Sequence, residues 1–155
     1  MKLQEINNTT IKETDRLSKI IFFNFSYLKN EDGIDFSIDS IKRVLKSITM
    51  VGYFLLNDDD SICGYLIADL RTLPDGRFVL YISYLYIIEK YRQKGLGTKM
   101  ILKIFEYAKN NNVPYIMLVT NINKPSFNFY KKFGFKQDPI IKINNNNYYV
   151  LSIVL

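Results

Sequence analysis

Arg92-Gln93-Lys94-Gly95-Leu96-Gly97-Thr98 is the stretch that decides the fold. It follows the run from Tyr81 to Ile88, whose β-branched and aromatic residues favour a strand. It precedes apolar residues at helical spacing, at positions 100, 101, 104, 105 and 108. A helix that begins near Gly97 directs its free amide groups and the positive end of its dipole at this turn, and glycines let the backbone approach a phosphate closely. The stretch therefore predicts a pyrophosphate-binding turn between a strand and a helix.

A second segment repeats the order of strand, turn and helix. The run from Tyr115 to Thr120 is another apolar strand, and it leads into Asn123-Lys124-Pro125-Ser126-Phe127-Asn128-Phe129-Tyr130 and then Gly134-Phe135. Neither common nucleotide motif fits the first stretch, because the P-loop Gly-Lys-Ser/Thr and the third glycine of a dinucleotide fingerprint are both missing. Taken alone, the first stretch is compatible with a pyrophosphate-binding turn of another kind and with a plain connection between a strand and a helix.

Together, the two segments resemble the GNAT superfamily of acetyl-CoA-dependent N-acetyltransferases. Arg92-x-x-Gly95-x-Gly97 is similar to the Arg/Gln-x-x-Gly-x-Gly/Ala motif of that superfamily. Asn123-x-x-Ser126-x-x-Phe129-Tyr130-x-x-x-Gly134-Phe135 is similar to its second signature. The resemblance covers about residues 50 to 137, in order and at the usual spacing. It implies an acyltransferase that uses acetyl-CoA as cosubstrate and acts on a primary amine by direct attack in a ternary complex.

The order of predicted elements indicates an α/β fold with a mixed central sheet. The helix at about 97 to 110 joins two strands, which a right-handed crossover makes parallel neighbours. The resemblance implies about seven strands flanked by about four helices, with the parallel pair splayed apart at a bulge to bind acetyl-CoA. The other predicted elements are a strand Leu3–Ile6, a helix from about Ile11 to Phe25 capped from Asn7–Thr10, a helix Ile41–Ser47 capped by Ser37 or Ser40, a hairpin of Tyr53–Leu56 and Ile62–Asp69, and a terminal hairpin Ile140–Leu155 turning at Asn144–Asn147.

The resemblance also implies the residues that bind the cofactor and release it. Tyr130 would give a proton to the departing CoA thiolate, a role for which the pKa of a phenol is suitable. Asn123 would hold the cofactor arm, and a cap of the following helix is the alternative role for this residue. The expected cofactor-binding residues are Leu85, Tyr86 and Ile87 through their backbone, then Arg92, Gln93, Lys94, Gly95, Leu96, Gly97 and Thr98, and finally Asn123, Ser126 and Tyr130.

The acceptor amine must be neutral to attack, and the chain has no histidine to deprotonate it. The base must therefore be a carboxylate, a phenol or a chain of water molecules. Tyr81 stands eleven residues before Arg92, where lysine acetyltransferases of the superfamily carry a glutamate base. Tyr81 is thus a catalytic candidate that orients a water molecule or the amine, and core packing is its alternative role. Ser83 and Tyr84 follow on the same strand and are expected to approach the cleft.

Two subfamily resemblances compete for the identity of the amine. The aromatic run Phe22–Tyr27, with Phe25 and Tyr27 as substrate candidates, lies where N-terminal acetyltransferases for hydrophobic N-termini have a peptide-binding loop. The proline of that loop is absent, and Leu118 replaces a catalytic histidine. The run from Asn123 to Tyr130 instead resembles the polyamine acetyltransferases, whose Glu-Asp pair is replaced here by Ser83-Tyr84. A peptide N-terminus, a polyamine and a small amine all stay open.

Composition limits the class of protein. With 155 residues the chain predicts a single domain over residues 1–155. The single Cys63 excludes an internal disulfide, and the absence of histidine excludes a His/Cys metal site, so no metal is expected. The chain has neither a signal-peptide core nor an apolar run of bilayer length. We therefore expect a cytoplasmic protein without a membrane partner.

The net charge of +6 admits an anionic cofactor or a nucleic acid. The basic residues are grouped only within the two motifs, at Lys90 to Lys99 and at Lys131-Lys132, so an anionic cofactor explains them and no nucleic-acid partner is expected. A module that binds acetyl-CoA without turnover is the alternative to an enzyme, and a nucleic-acid binder is the third class. A monomer and a homodimer are both compatible with the sequence.

Overall fold

The computed structural model describes residues 1–155 and contains a mixed sheet of seven strands. The strands are β1 (Lys2–Asn7), β2 (Val51–Leu56), β3 (Ile62–Thr72), β4 (Phe78–Ile87), β5 (Tyr115–Asn121), β6 (Lys136–Gln137) and β7 (Tyr148–Val154). The helices are α1 (Thr14–Asn24), α2 (Ile38–Leu45), α3 (Leu96–Asn110) and α4 (Pro125–Lys132), with short 3-10 helices at Ser26–Asn30 and Glu89–Tyr91. The predicted α/β fold of seven strands and four helices is confirmed. None of these helices combines the length and the apolarity that a bilayer span needs.

The strands lie in the order β1-β2-β3-β4-β5-β7-β6, and only β4 and β5 are parallel. Side chains of β3 alternate between two cores, because successive residues of a strand point to opposite faces. Leu66 and Ala68 pack with α3 and α4, whereas Tyr65 and Ile67 pack with α1 and α2. Since both faces are covered, the sequence of β3 reads as an almost continuous apolar run rather than an alternating one.

The parallel pair separates at a bulge in β4, as the resemblance implied. On the β3 side, Ile67 pairs with Tyr84 and Ala68 with Ile82, so Ser83 is an extra residue without a partner. On the other side, β4 and β5 pair only as far as Ile82 and Leu118. Beyond that point β4 continues along β3 and β5 continues along β7. The two strands therefore leave a wedge-shaped gap between their C-terminal halves.

Two of the predicted helix starts can now be compared with the structure. Ser37 caps α2, and Ser40 completes a capping box by bonding back to the amide of Ser37. The predicted cap of α1 from Asn7–Thr10 is wrong. The Asn7 side chain instead accepts bonds from Thr9 and Thr10 in a turn that ends β1, and α1 begins after Glu13 with no side-chain cap.

The predicted terminal hairpin Ile140–Leu155 is also wrong in its first half. β7 pairs with the two-residue strand β6, and residues 138–147 form an irregular connection between them. Pro139 lacks an amide hydrogen for a ladder. Asp138 turns the chain away from the sheet by accepting the amides of Ile140 and Ile141. This connection runs instead over the side of the sheet that carries α1 and α2.

A buried ion pair fixes the start of this connection. Arg77, which follows the β3–β4 turn, donates two hydrogen bonds of 2.7 and 2.9 Å to the fully buried carboxylate of Asp138. Ser152 adds a third bond of 2.7 Å. Burial alone would raise the pKa of Asp138, but the bonds from Arg77, Ser152 and two backbone amides outweigh it and hold that pKa well below its usual range.

Asp138→Asn should lower the free energy of unfolding at pH 7 by about 1 to 3 kcal/mol, because it removes the fully buried carboxylate and leaves Arg77 with Asp75 as its charge partner. The lowered pKa means that this contribution is present above the unfolded-state pKa of about 3.9 and is lost as the pH falls through the folded-state value. Urea titrations at pH 7 and near pH 3 check both points. Asp75→Asn, which removes the exposed partner of Arg77, is the control and should destabilise far less. Equal effects of the two variants would contradict the assignment.

Candidate active site

The turn before α3 has the geometry of an anion-binding site. Gln93 and Gly95 both have a positive φ, of 60° and 76°, which turns successive backbone amides toward one side. Gly95 caps the 15-residue helix α3, and no side chain bonds to the free amides of its first turn. The first turn contains no acidic residue, and Arg92 and Lys94 lie just before it. The site therefore fits a pyrophosphate through backbone amides, helix dipole and positive charge.

Gly97 has a different role from the one its spacing suggested. A Cβ atom at this position would lie 3.3 Å from the Phe129 ring and 3.6 Å from Ile87, so it would point at α4 and β4 rather than at a phosphate. Gly97 thus lets the start of α3 pack closely on α4. Gly95 is the open position, where a Cβ would meet nothing within 4 Å but where φ favours glycine.

Arg92 lies at the junction between this turn and the gap in the sheet. Its Nε donates a 2.6 Å hydrogen bond to the Ile87 carbonyl, and its guanidinium lies 5.2 Å from the centre of the Tyr86 ring. One of the backbone acceptors predicted for the cofactor is therefore occupied by Arg92 itself. Lys94 and Thr98 are exposed on the turn, whereas Leu96 packs against the core.

A cleft of about 1040 Å³ extends from Arg92 through the gap between β4 and β5 to the α1–α2 side. Its lining includes both catalytic candidates, all four substrate candidates and six of the cofactor candidates, with Tyr130 counted as both catalytic and cofactor-binding: Tyr81, Tyr130, Phe25, Tyr27, Ser83, Tyr84, Leu85, Tyr86, Ile87, Arg92 and Ser126. The predicted residues outside this lining are Gln93, Lys94, Gly95, Leu96, Gly97, Thr98 and Asn123. Most of these lie on the turn at one end of the cleft, next to Arg92.

Tyr130 projects from α4 into the core and reaches the cleft. It is 8% exposed, and the rings of Phe129 and Phe135 pack on it at 5.3 and 5.9 Å. Burial raises the pKa of its hydroxyl above the ordinary value, with a smaller contribution from Tyr27. At neutral pH the phenol is therefore protonated and able to donate.

Asn123 lies on the exposed turn between β5 and α4. The backbone amide of Asn123 donates to Oδ1 of Asn121 at 2.8 Å, and the Asn123 side chain donates to Oδ1 of Asn147 at 3.4 Å. The alternative role as a helix cap is wrong, because Lys124 is the capping residue of α4. Ser126 lies in the first turn of α4, with its hydroxyl 3.4 Å from that of Thr120 on β5.

Phe25 and Tyr27 lie at the acceptor side of the cleft, after the end of α1. The Phe25 ring packs against Tyr84 at 5.5 Å and Tyr86 at 6.0 Å. Tyr27 is half exposed, and the Lys124 ammonium lies 4.9 Å from the centre of its ring. These contacts connect the α1–α2 segment to the end of β4 and to the turn before α4.

The acceptor side also carries a cluster that the sequence reasoning missed. Asp69 and Arg71 on β3 form an ion pair of 2.9 Å, and the Arg71 guanidinium stacks 4.1 Å above the Tyr81 ring. Arg71 also donates to the Ser83 hydroxyl at 3.4 Å. All four side chains line the cleft. The sequence contains a signal for this cluster, because Asp69 is the only charged residue in the apolar run between Ile62 and Leu70. A charged residue in such a run is seldom buried without a partner.

A second missed feature encloses the cleft. The Asn145 side chain, in the 138–147 connection, donates to the Glu31 carboxylate at 3.1 Å and to the Asp32 carbonyl at 2.9 Å. Close by, a Cβ at Gly33 would lie only 2.6 Å from Ile143. The α1–α2 segment and the 138–147 connection therefore meet at the acceptor side of the cleft, where Gly33 and Ile143 both line it. The Tyr148 hydroxyl is buried without a hydrogen-bond partner, which leaves a donor free beside the cleft.

The comparisons with known proteins agree with this geometry. The model of the acetyltransferase (GNAT) family matches residues 20–135. The uncharacterized N-acetyltransferase MJ1207 of Methanocaldococcus jannaschii is 28% identical over 94 residues, which are 59% of this chain and 42% of that protein. An N-alpha-acetyltransferase of Sulfurisphaera tokodaii is 23% identical over 151 residues, 91% of this chain and 85% of the relative.

Among solved structures, Arabidopsis thaliana NAA60 in complex with acetyl-CoA has a TM-score of 0.70 at 17% identity, covering 99% of this chain and 98% of that one. The chain belongs to the GNAT family of acetyltransferases. The resemblance drawn from the two sequence motifs is thus confirmed, and an acyltransferase is confirmed at the level of the family.

Gly97→Leu should raise the acetyl-CoA Kd by at least about tenfold, because overpacking against Phe129 costs about 1–3 kcal/mol and displaces the amides of the turn. Gly97→Ala, whose added methyl meets the same ring, should have a smaller effect in the same direction. Isothermal titration calorimetry measures the Kd, and thermal unfolding of the free protein checks folding. Leu102→Ala, on the exposed side of the same helix, is the control. An unchanged Kd for Gly97→Leu would remove this turn from the cofactor site.

Proposed function

We propose that this protein is an N-acetyltransferase that moves the acetyl group of acetyl-CoA to the terminal amine of a peptide, a protein or a small molecule. The observation that carries this proposal is the continuous cleft that joins the anion-binding turn, the gap in the sheet and an enclosed acceptor side. Acetyl-CoA would supply an acetyl group activated as a thioester. Residues 1–155 are proposed to act as one catalytic domain.

The cofactor end of the proposal rests on two features of the backbone. The uncapped start of α3 provides amides for the pyrophosphate. The edge of β4 from Leu85 to Ile87 has no strand partner on the β5 side, so its backbone groups suit an arm that pairs as a strand would, apart from the Ile87 carbonyl, which accepts from Arg92. Ser126 and the unpartnered Tyr148 hydroxyl lie on the opposite wall of the same cleft.

Tyr130 is proposed as the general acid. Its raised pKa keeps the phenol protonated at neutral pH, and it enters the cleft from α4 between the cofactor gap and the acceptor side. In this role it delivers its proton to the departing sulfur and regains one from the attacking nitrogen. The retention of this tyrosine in the lined cleft supports an enzyme over a module that binds acetyl-CoA without turnover.

The acceptor class follows from the enclosed acceptor side of the cleft. An internal lysine has peptide chain on both of its sides, and the close approach of Gly33 to Ile143, which both line the cleft, leaves less room for such a chain. A terminal amine has chain on one side only. The names of the relatives, among them an N-alpha-acetyltransferase, agree with an N-terminal acceptor.

A polyamine is disfavoured by the charges of the cleft. Its lining contains five basic side chains and two carboxylates: Arg43, Arg71, Arg92, Lys124 and Lys142 against Asp35 and Asp69. A polycation needs the opposite balance. The single buried Cys63 is the basis for proposing an intracellular setting.

The experiment that tests this function measures CoA-thiol release from acetyl-CoA with a matched set of amines. The set contains a peptide with a free hydrophobic N-terminus, an N-blocked peptide with one lysine, and spermidine. Selective turnover of the first peptide is the expected result. Turnover of the blocked peptide or of spermidine alone would replace the proposed acceptor class, and acetyl-CoA binding without any turnover would favour the non-catalytic module.

Tyr130→Phe should reduce kcat by about a hundredfold while the acetyl-CoA Kd stays within about twofold, because only the proton donor is removed. Steady-state kinetics and calorimetry on the same preparation give the two values. Tyr107→Phe, on α3 and packed against the core, controls for loss of a phenol elsewhere. Activity of Tyr130→Phe equal to that of the wild type would exclude Tyr130 as the acid.

A further inference from the structure

The base that deprotonates the acceptor is the role left open by a chain without histidine. Tyr81 cannot fill it as an anion at neutral pH, because burial raises the pKa of its phenol and the opposing effect of Arg71 is smaller. A carboxylate is the remaining side chain that accepts protons near neutral pH. The lining of the cleft contains two carboxylates, Asp35 and Asp69.

These two carboxylates differ in position and environment. Asp35 is exposed and pairs with Arg43 at 3.2 Å, so it lies at the rim. Asp69 is 8% exposed and lies directly opposite Tyr81 in the β3–β4 ladder, two residues before the bulge at Ser83. Asp69 is therefore the buried carboxylate next to the point where the parallel strands separate.

Arg71 holds this group in a defined arrangement. Its Nε bonds to Oδ1 of Asp69, its Nη2 reaches Ser83, and its guanidinium plane covers Tyr81. The guanidinium bonds to Oδ1, and the Ser47 hydroxyl is a second donor to this carboxylate. Because a carboxylate has about four acceptor sites, it can still accept a further bond. Arg71 thus contacts three side chains of the cleft lining at once, which indicates that it organises this part of the site.

We propose that Asp69 accepts the proton of the substrate ammonium, directly or through one water molecule, and that Arg71 is the positioning residue that fixes Asp69, Tyr81 and Ser83 toward the cleft. This proposal presupposes the N-acetyltransferase activity proposed above. The ammonium gives one proton to Asp69, and the freed lone pair forms the bond to the acetyl carbon as the carbon–sulfur bond breaks. The sulfur takes a proton from Tyr130, which regains one from the same nitrogen, and Asp69 returns its proton to solvent.

The pH dependence of this step follows from the groups around Asp69. Burial raises its pKa above the ordinary value, and Arg71 and the Ser47 hydroxyl oppose that shift. Other charged or titratable side chains line the cleft from the packed elements: Asp35, Arg43, Tyr84, Arg92, Lys124 and Lys142. A base with a raised pKa accepts a proton more readily.

The test compares wild type with Asp69→Asn over a range of pH, with a lysine-free peptide that has a free amino-terminal leucine. An α-amine with a pKa of about 8 is about one-tenth neutral at pH 7. The variant can react only with that neutral fraction of the peptide. Its kcat/KM should therefore be about tenfold below that of wild type at pH 7 and should approach the wild-type value near pH 9. A deficit of equal size at every pH would assign Asp69 a purely structural role and overturn the proposal.

Two further variants sharpen the comparison. Arg71→Gln should move the acidic limb of the kcat/KM profile to higher pH, because the positive charge that lowers the pKa of Asp69 is removed. An unmoved limb would contradict the positioning role. Asp35→Asn removes the other carboxylate in the cleft and should not change the shape of the profile.

A binding measurement separates this proposal from the proposed activity. Calorimetry on protein saturated with CoA compares the free leucine peptide with the same peptide acetylated at its N-terminus. Wild type should prefer the free amine, and Asp69→Asn should lose that preference. If wild type turns over no peptide, the proposed activity fails while this measurement still decides the contact with Asp69. An equal preference in both proteins would reject the contact.

Discussion

The end of hydrogen bonding between β4 and β5, beyond Ile82 and Leu118, is the constraint on which the rest of the structure depends. An unpaired backbone edge inside a sheet is costly, about 1–3 kcal/mol for each buried group without a partner. The protein keeps the gap open because each strand is held on its other side, β4 by β3 and β5 by β7. The extra residue Ser83 supplies the bend that directs the end of β4 away. The gap then provides backbone groups for a ligand.

The acceptor side depends on long-range contacts of an irregular segment. The connection 138–147 has no secondary structure of its own, so ordering it costs conformational entropy. The ion pair of Asp138 with Arg77 fixes its beginning, and Asn145 fixes its middle to the α1–α2 segment. These contacts offset the entropy cost and place Ile141 and Ile143 along the cleft. The shape of the acceptor side is therefore determined by polar contacts rather than by the sheet.

The fold around the two motifs could be predicted because its signals are local. Apolar patterns predicted β4, α3 and β5, and the two serines near the start of α2 predicted that its first turn is capped. Contacts between distant residues could not be read in this way. Arg77 and Asp138 are 61 residues apart and Glu31 and Asn145 are 114 apart, so no spacing rule connects them. Asp69 was visible as an acid in an apolar strand, but its position opposite Tyr81 depends on the register of β3 and β4.

The most direct measurement uses one peptide that carries both a free N-terminal amine and an internal lysine, incubated with the protein and acetyl-CoA. Tandem mass spectrometry of the product locates the acetyl group on one nitrogen or the other. The enclosed acceptor side predicts acetylation of the terminal amine alone. An acetyl group on the lysine, or an equal division between the two nitrogens, would contradict an active site that selects terminal amines.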